Sequence, residues 1–224
     1  QFSHHRLDKD GTLTHAGQWL NTEPGRFPNF DFVRALKQEL AQDKGTIFRY
    51  AAHENSILNA IWKQLMDSTE PNKEELCSWI QSISHSSSSS AVAWAGERDM
   101  VDLLDWVLRF YYSPMMKGSN SIKQVLPAIL AGSQNLQAKY SQPIYGTTIP
   151  SNNFRGHAWI QYDESGYLIN PYKTLPCIHE GLDNESLDLL GLDDSIGIMD
   201  GGAAMTAYAR MQFTQMPVDE RRRI

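Results

Sequence analysis

The sequence predicts an α/β fold, and three observations support that prediction. Residues 46–52 (TIFRYAA) are rich in strand-forming side chains and lie between two segments whose apolar residues recur at helical spacing. Two β-like runs flank the DKDG turn at residues 8–11, which is typical of a hairpin. Because helix, strand and helix follow one another so closely, we expect an α/β sandwich, in which helices pack against a sheet.

Helical spacing predicts three helices in the first part of the chain. The first is expected to begin at Asn29 or Asp31 and to end at Gly45, because glycine suits a helix C-terminus. The second follows the predicted strand at once, and the third covers residues 71–83. The apolar face predicted for the second helix consists of Ile57, Leu58, Ile61, Trp62 and Leu65.

Residues 98–130 are the most strongly patterned stretch, and they predict two amphipathic helices joined by a basic, glycine-containing loop at residues 117–120. Pro114 is expected to end the first of these helices, and Asn120 or Ser121 to cap the second. The side chains predicted to face inward are Val101, Leu103, Leu104, Val107, Leu108, Phe110 and Tyr111 in the first helix and Ile122, Val125, Leu126 and Ile129 in the second.

Two segments differ in composition from the rest of the chain. Residues 131–180 are polar, rich in Gly, Pro and Asn, and are expected to form an insertion that carries a β-hairpin around the turn at residues 164–166. The serine-rich run at residues 84–90 is expected to be a flexible loop. Further helix is predicted at residues 187–192 and 201–213, where Ala204, Tyr208 and Met211 would point inward.

The two ends of the sequence predict a single but incomplete domain over residues 1–224. The chain begins inside a predicted strand and ends shortly after Pro217, a residue that suits the first position of a helix. We therefore expect an internal fragment of a larger domain.

Composition narrows the class of protein. The 224 residues carry a net charge of −6 at pH 7, which argues against broad, nonspecific nucleic-acid binding but not against a local basic groove. No stretch approaches the roughly 18 apolar residues of a membrane span. Cys77 and Cys177 are too few for a disulfide framework and lie outside any CxxC pair. These features predict a cytoplasmic protein without a membrane partner or a structural zinc site.

Glu54 is the first candidate for chemistry. It lies where the predicted strand ends and a helix begins, and side chains at that end of a strand project into the crevice where α/β proteins bind ligands. A carboxylate there suits a divalent cation, which prefers hard oxygen ligands. The alternative is that Glu54 only interacts with the helix macrodipole in the first turn.

The loop between the two central helices is the second candidate. Asp102 lies near the start of the first of these helices, while Lys117 and Lys123 bracket the loop. A carboxylate beside a cationic loop is an arrangement that phosphate chemistry uses, and a capped helix start with nearby lysines attracts anions. The alternative is an ordinary solvated helix pair, in which Ser121 only caps and the lysines only improve solubility.

Several segments carry a resemblance to a known family. The succession IFRYAAHENSIL, RDMVDLL, YYSPMMKGSNSIKQVLPAIL, NPYKTLP and DGGAAMTAY resembles the bacterial domain-of-unknown-function family 2779. The resemblance implies a ribonuclease H-like fold similar to that of the DEDD 3′–5′ exonucleases, which hydrolyse phosphodiester bonds in DNA or RNA. It also implies that a RecB-like nuclease domain can lie in the same polypeptide.

The resemblance assigns roles to particular residues. In DEDD exonucleases four carboxylates on three motifs hold two divalent ions, here Mg²⁺ or Mn²⁺, that activate water and stabilise the leaving oxygen. Glu54 would replace the Asp of the second motif, with His53 and Tyr50 departing from the usual neighbours. Asp102 would match a family acid outside the core motifs. Residues expected to contact nucleic acid are Lys117, Ser119, Ser121 and Lys123.

The same comparison predicts that this chain is inactive by itself. The first motif would precede residue 1 and the third would follow residue 224, so at most one of the four core carboxylates is present. A noncatalytic module that binds nucleic acid or protein is the main alternative, because it suits the acidic charge and the altered second motif.

A thiol enzyme is the remote alternative. Cys77, His157 and then Asp163 or Asn170 follow the order seen in papain-like and transglutaminase-like enzymes. The objection is local, because Cys77 lies in the middle of a predicted helix and lacks the helix-start environment that activates a thiolate.

Overall fold

The computed structural model describes residues 1–87, 89–151, 154–175 and 208–214. Helices alternate with two small sheets, so the chain has the α/β fold that the sequence predicts. The chain divides into two compact units, one of residues 1–21 and 27–128 and the other of residues 22–26 and 129–224. Within the described ranges no helix is both long and apolar enough to cross a membrane.

The predicted hairpin opens the first unit. Strands β1 (Phe2–Leu7) and β2 (Leu13–Trp19) pair antiparallel, with a bulge between His4 and His5. The turn closes because the Gly11 N–H donates to the Asp8 carbonyl at 2.9 Å while Gly11 adopts a φ of 84°.

Three helices form the hydrophobic core of the first unit: α1 (Asn29–Leu40), α2 (His53–Met66) and α3 (Lys73–Ile83). All three were predicted, although α1 ends at Leu40 rather than at Gly45, and Ile57 of α2 is 43% exposed rather than inward. The buried side chains of this core are Val33, Leu40, Leu58, Ile61, Leu65, Leu76, Cys77, Ile80, Ile83 and Met100.

A two-stranded parallel sheet lies at the start of two helices. Strand β3 (Phe48–Arg49) pairs with β4 (Val101–Asp102), and α2 and α3 lie in the connection between them. The strand predicted at 46–52 is shorter because Ala51 adopts a left-handed φ of 67°, which ends the extended backbone. Residues 101–102, predicted as helix, extend the sheet instead.

Helices α4 (Leu103–Phe110) and α5 (Ile122–Gly132) are the predicted central pair, but their inward faces differ from the prediction. In α4 only Val107 is buried, whereas Leu108 is 58% and Phe110 80% exposed. The residues of α5 that are buried are Val125, Ala128 and Leu130, while Ile122 and Leu126 are exposed. The prediction fails here because both helices carry more apolar side chains than the neighbouring elements cover.

The second unit contains α6 (Gln134–Tyr140), a 3₁₀ turn at Pro171–Thr174 and the helical residues 208–213. The predicted hairpin around residues 164–166 is present as an antiparallel bridge between Tyr162 and Leu168. Met211 is buried and Tyr208 half-buried, as predicted. The helix predicted at 187–192, residues 201–207 of the last predicted helix (with Ala204) and Pro217 lie outside the described residues.

Candidate functional site

The carboxyl ends of β3 and β4 carry a buried ion pair. Asp102 Oδ2 lies 2.7 Å from Arg49 Nη1, and the two side chains are only 12% and 8% exposed. Asp102 Oδ1 accepts hydrogen bonds from the Ala51 and Leu104 N–H groups, each at 2.9 Å. The second of these bonds caps α4, and the first holds Ala51 in its left-handed conformation.

Asp102 therefore fits a structural role better than a metal-binding role. Both of its carboxylate oxygens are engaged, and a divalent cation would have to displace Arg49 or an N–H group to reach them. A buried guanidinium left without its carboxylate partner is strongly unfavourable.

Glu54 lies in the first turn of α2 with its side chain exposed. No hydrogen bond or ion pair engages it within the part of the chain that the structure describes, so its carboxylate is accessible to a ligand. No group of three or more potential metal-ligating side chains occurs among the described residues. The carboxylate of Glu54 is accessible, whereas that of Asp102 is engaged. These two residues therefore do not fit a two-metal centre on their own.

The basic loop is held beside the end of β3. The Tyr50 hydroxyl donates to the Asn120 carbonyl at 2.5 Å, which ties residues 117–121 to the residue that directly follows the strand. Lys117 is exposed and adopts a left-handed φ of 53°, and Gly118 follows with a φ of 77°. The structure thus brings the loop close to the junction that bears Asp102.

The serines of this loop mainly shape its backbone. Ser119 Oγ accepts from the Ser121 N–H at 3.3 Å, and Ser121 Oγ accepts from the Lys123 N–H at 3.4 Å, a long capping contact at the start of α5. Capping by Ser121 was predicted. Ser121 is exposed, so its hydroxyl hydrogen remains available for a further acceptor such as a phosphate oxygen.

Several aromatic side chains on and after α4 are exposed, which the sequence did not predict. Trp106 is 57%, Phe110 80% and Tyr112 82% exposed, and the exposed Arg109 lies among them in the sequence. The run WVLRFYY carried a signal, because aromatic residues interleaved with an arginine are typical of single-stranded nucleic-acid-binding surfaces. Helical periodicity instead placed Phe110 on the inner face.

The residues of the thiol hypothesis do not form a catalytic arrangement. Cys77 is 5% exposed in the core, and burial raises the pKa of its thiol. Asp163 Oδ1 accepts from the Ser165 and Tyr167 N–H groups in a turn, and Asn170 caps the 3₁₀ turn through the Tyr172 N–H. Both groups therefore serve the backbone. Cys177 lies outside the described residues.

The environment of His157 is apolar, and it favours the neutral form of the ring. Its ring centroid lies 4.5 Å from those of Phe154 and Trp159, and burial lowers its pKa. Its Nε2 atom is buried without a hydrogen-bond partner among the described residues. This is a packed histidine rather than a histidine aligned with a nucleophile.

The fold and the candidate site define a class of small α/β protein. In this class an ion pair lies at the strand ends and a basic loop is held beside it. The chain is a member of the family described as Domain of unknown function (DUF2779), whose model matches residues 1–121. That match confirms the predicted family and includes Glu54, Asp102, Lys117, Ser119 and Ser121. No curated protein and no solved structure matched the chain.

Proposed function

We propose that this chain is the nucleic-acid-binding part of a metal-dependent, 3′–5′ exonuclease-like nuclease with a ribonuclease H-like fold. The observation that carries the proposal is the surface formed by Trp106, Arg109, Phe110 and Tyr112, followed by the loop that bears Lys117. Aromatic faces and cations together suit a single strand of DNA or RNA, which exposes both bases and phosphates.

The chemistry of this surface matches both components of a strand. Each base that stacks on an aromatic side chain contributes about 1–3 kcal/mol. Arg109, Lys117 and Lys123 would neutralise phosphates, and the Ser119 and Ser121 hydroxyls would add hydrogen bonds to phosphate oxygens. The net charge of −6 then limits binding to this local surface and disfavours nonspecific binding elsewhere.

Hydrolysis is assigned to the complete nuclease rather than to the described residues. Glu54 is the proposed ligand for Mg²⁺ or Mn²⁺, since its exposed carboxylate offers hard oxygen donors at the start of α2. A bound divalent ion would supply water activation, for which further carboxylates are required. A RecB-like nuclease domain in the same polypeptide and a cytoplasmic location remain parts of this proposal.

The binding test compares exposed aromatic residues in the two units. Fluorescence anisotropy of labelled single-stranded DNA and RNA should show that Phe110→Ala and Tyr112→Ala each raise Kd by about tenfold, because one stacking contact is lost. Tyr167→Ala and Phe213→Ala are matched controls, because these side chains are 73% and 85% exposed but lie in the other unit. Equal affinities for all four variants would contradict the proposed surface.

The nuclease test follows the 3′ end of a labelled strand in the presence of Mg²⁺ or Mn²⁺. We expect this chain to bind the strand and leave it intact, and the full-length protein to shorten it stepwise. Glu54→Gln in the full-length protein should abolish shortening without changing affinity for the strand.

The alternative function is a noncatalytic binding module, which is favoured by the engaged oxygens of Asp102 and the absence of a ligand cluster among the described residues. A full-length protein that binds strands but never shortens them, with or without Glu54, would establish this alternative. Robust metal-dependent cleavage by the present chain alone would show that the assignment of hydrolysis to further carboxylates is wrong.

A further inference from the structure

A second polar site lies between α2 and the start of the serine-rich loop. An open pocket of about 420 Å³ is lined by Asn55, Ser56, Asn59, Ala60, Lys63, His85, Ser86 and Ser87. None of these lining residues carries a carboxylate, and one carries a permanent positive charge. The lining therefore suits an anion better than a cation.

The position of His85 is fixed by α2. The Asn55 side-chain amide donates to the His85 carbonyl and accepts from the His85 N–H, each at 3.0 Å, and Asn55 itself is buried. The Asn59 amide donates to the same carbonyl at 2.9 Å. Three hydrogen bonds between the His85 backbone and two asparagines, one helical turn apart, hold this backbone against the helix.

The His85 ring is oriented by an aspartate. Asp99 Oδ2 lies 2.8 Å from His85 Nδ1. A carboxylate only accepts hydrogen bonds, so Nδ1 carries a proton and Nε2 is left for the pocket. In the neutral ring Nε2 is an acceptor, and it can take a hydrogen bond from a ligand that carries a hydroxyl.

Lys63 and Ser56 add hydrogen-bond donors to the lining. Lys63 pairs with no carboxylate in the part of the chain that the structure describes, so its ammonium is available to a ligand. The hydroxyl of Ser56 lies on the same side of α2, since residues 56, 59, 60 and 63 all line the pocket. An ammonium, a hydroxyl and an oriented imidazole acceptor together match a monohydrogen phosphate group, which has charged oxygens and one O–H.

We propose that this pocket binds the phosphate of a phosphate monoester or of inorganic phosphate. This function is separate from that of the surface formed by Trp106, Arg109, Phe110 and Tyr112. The O–H of a monohydrogen phosphate donates to His85 Nε2, and the charged oxygens accept from Lys63 and Ser56. Near neutral pH inorganic phosphate keeps one O–H, and a phosphate monoester, whose second pKa is about 6, can take up the proton that this contact requires. Sulfate and a phosphodiester do neither near neutral pH. The pocket therefore selects a terminal phosphate over a strand backbone.

Isothermal titration calorimetry at constant ionic strength, with inorganic phosphate and sulfate as ligands, tests this proposal. We expect saturable binding of phosphate, with sulfate at least about tenfold weaker because one hydrogen bond is missing. Lys63→Gln should weaken phosphate binding by about tenfold or more. Lys44→Gln, which changes an exposed lysine outside the pocket, should leave Kd unchanged.

Ser56→Asp is the second variant, because an exposed aspartate in the first turn of α2 suits the helix and would repel an anion. It should abolish phosphate binding while circular dichroism shows an intact fold. Absence of saturable phosphate binding, or equal binding by Ser56→Asp and the unmodified chain, would overturn the proposal.

Competition experiments with inorganic phosphate show which kind of molecule carries the phosphate that binds in the pocket. If a strand end is the ligand, an oligonucleotide with a terminal phosphate will displace inorganic phosphate, and the same oligonucleotide with a terminal hydroxyl will not. If only inorganic phosphate or a mononucleotide binds, the pocket serves a small molecule. Loss of oligonucleotide binding in Phe110→Ala without loss of phosphate binding would separate the two sites.

Discussion

The carboxylate of Asp102 joins groups that lie far apart in the sequence. It pairs with Arg49, accepts the Ala51 N–H and caps α4 through the Leu104 N–H. In sequence the same residue looked like a candidate acid beside a cationic loop. Sequence alone could not separate these roles, because the deciding partners come from a strand about fifty residues earlier.

At this residue the substitution Asp102→Asn tests the structural role. We expect the free energy of unfolding to fall by about 3 kcal/mol, because the buried Arg49 charge loses its partner. Urea denaturation monitored by circular dichroism measures this difference. Asp105→Asn, an exposed acid in the first turn of the same helix, should change stability by only a few tenths of that amount. Unchanged stability of Asp102→Asn would point back to a catalytic role.

His157 gives a second prediction at the scale of one residue. Burial lowers its pKa below the ordinary value of 6.5, so the folded state binds fewer protons than the unfolded state just below that pH. Stability of the second unit should therefore fall as pH drops from about 6.5 to the lowered folded-state pKa, with no further loss from this group at lower pH. His157→Gln should flatten this dependence. Nuclear magnetic resonance of the neighbouring Trp159 indole, followed during denaturation at several pH values, measures the effect.

At the scale of the elements, the C-terminus of α1 is capped by the side chain of Arg98, which comes from a distant segment of the chain. The Arg98 guanidinium donates to the Leu40 carbonyl at 2.6 Å, the Gly45 carbonyl at 2.8 Å and Asp43 Oδ1 at 3.0 Å. A cation at this position satisfies free carbonyls and interacts favourably with the negative end of the helix. The predicted glycine stop at Gly45 is thus an acceptor for Arg98 rather than the helix terminus.

Replacing this cap gives a prediction for the element. Arg98→Gln should lower the free energy of unfolding by about 1–2 kcal/mol, because a charge-assisted contact and two carbonyl contacts are lost. Thermal denaturation compares it with Arg6→Gln, whose ion pair with Asp8 is exposed at 42% and 45%. The control should stay close to the unmodified chain. A matching loss in both variants would contradict a specific cap.

At the scale of the whole molecule, local patterns in the sequence predicted helices α1 to α5 and both hairpins, but not α6. Periodicity located α1, α2 and α3, and turn residues located both hairpins, because these signals act over a few neighbouring residues. Periodicity predicted the wrong inner face for α4, because it reports where apolar side chains recur and not which elements cover them. It also missed the pocket at His85, which depends on contacts between α2 and a loop about thirty residues later.

The candidate binding surface was predicted in part for the same reason. Lys117 and Lys123 were recognisable from charge and from the glycine-containing turn between them. The exposure of Phe110 and Tyr112 was not, because a buried and an exposed aromatic side chain look alike in one sequence.

The hydrogen bond from Tyr50 to Asn120 has a consequence for the order in which the protein folds. It joins residues 70 positions apart, and the contact between Ala51 and Asp102 spans 51. Contacts this distant in sequence carry a large loop-closure cost, which the packing of α2 and α3 reduces by bringing the two ends together. The basic loop therefore reaches its place late in folding. Under the proposed function, a nascent chain would gain affinity for a nucleic-acid strand only once α2 and α3 have packed together.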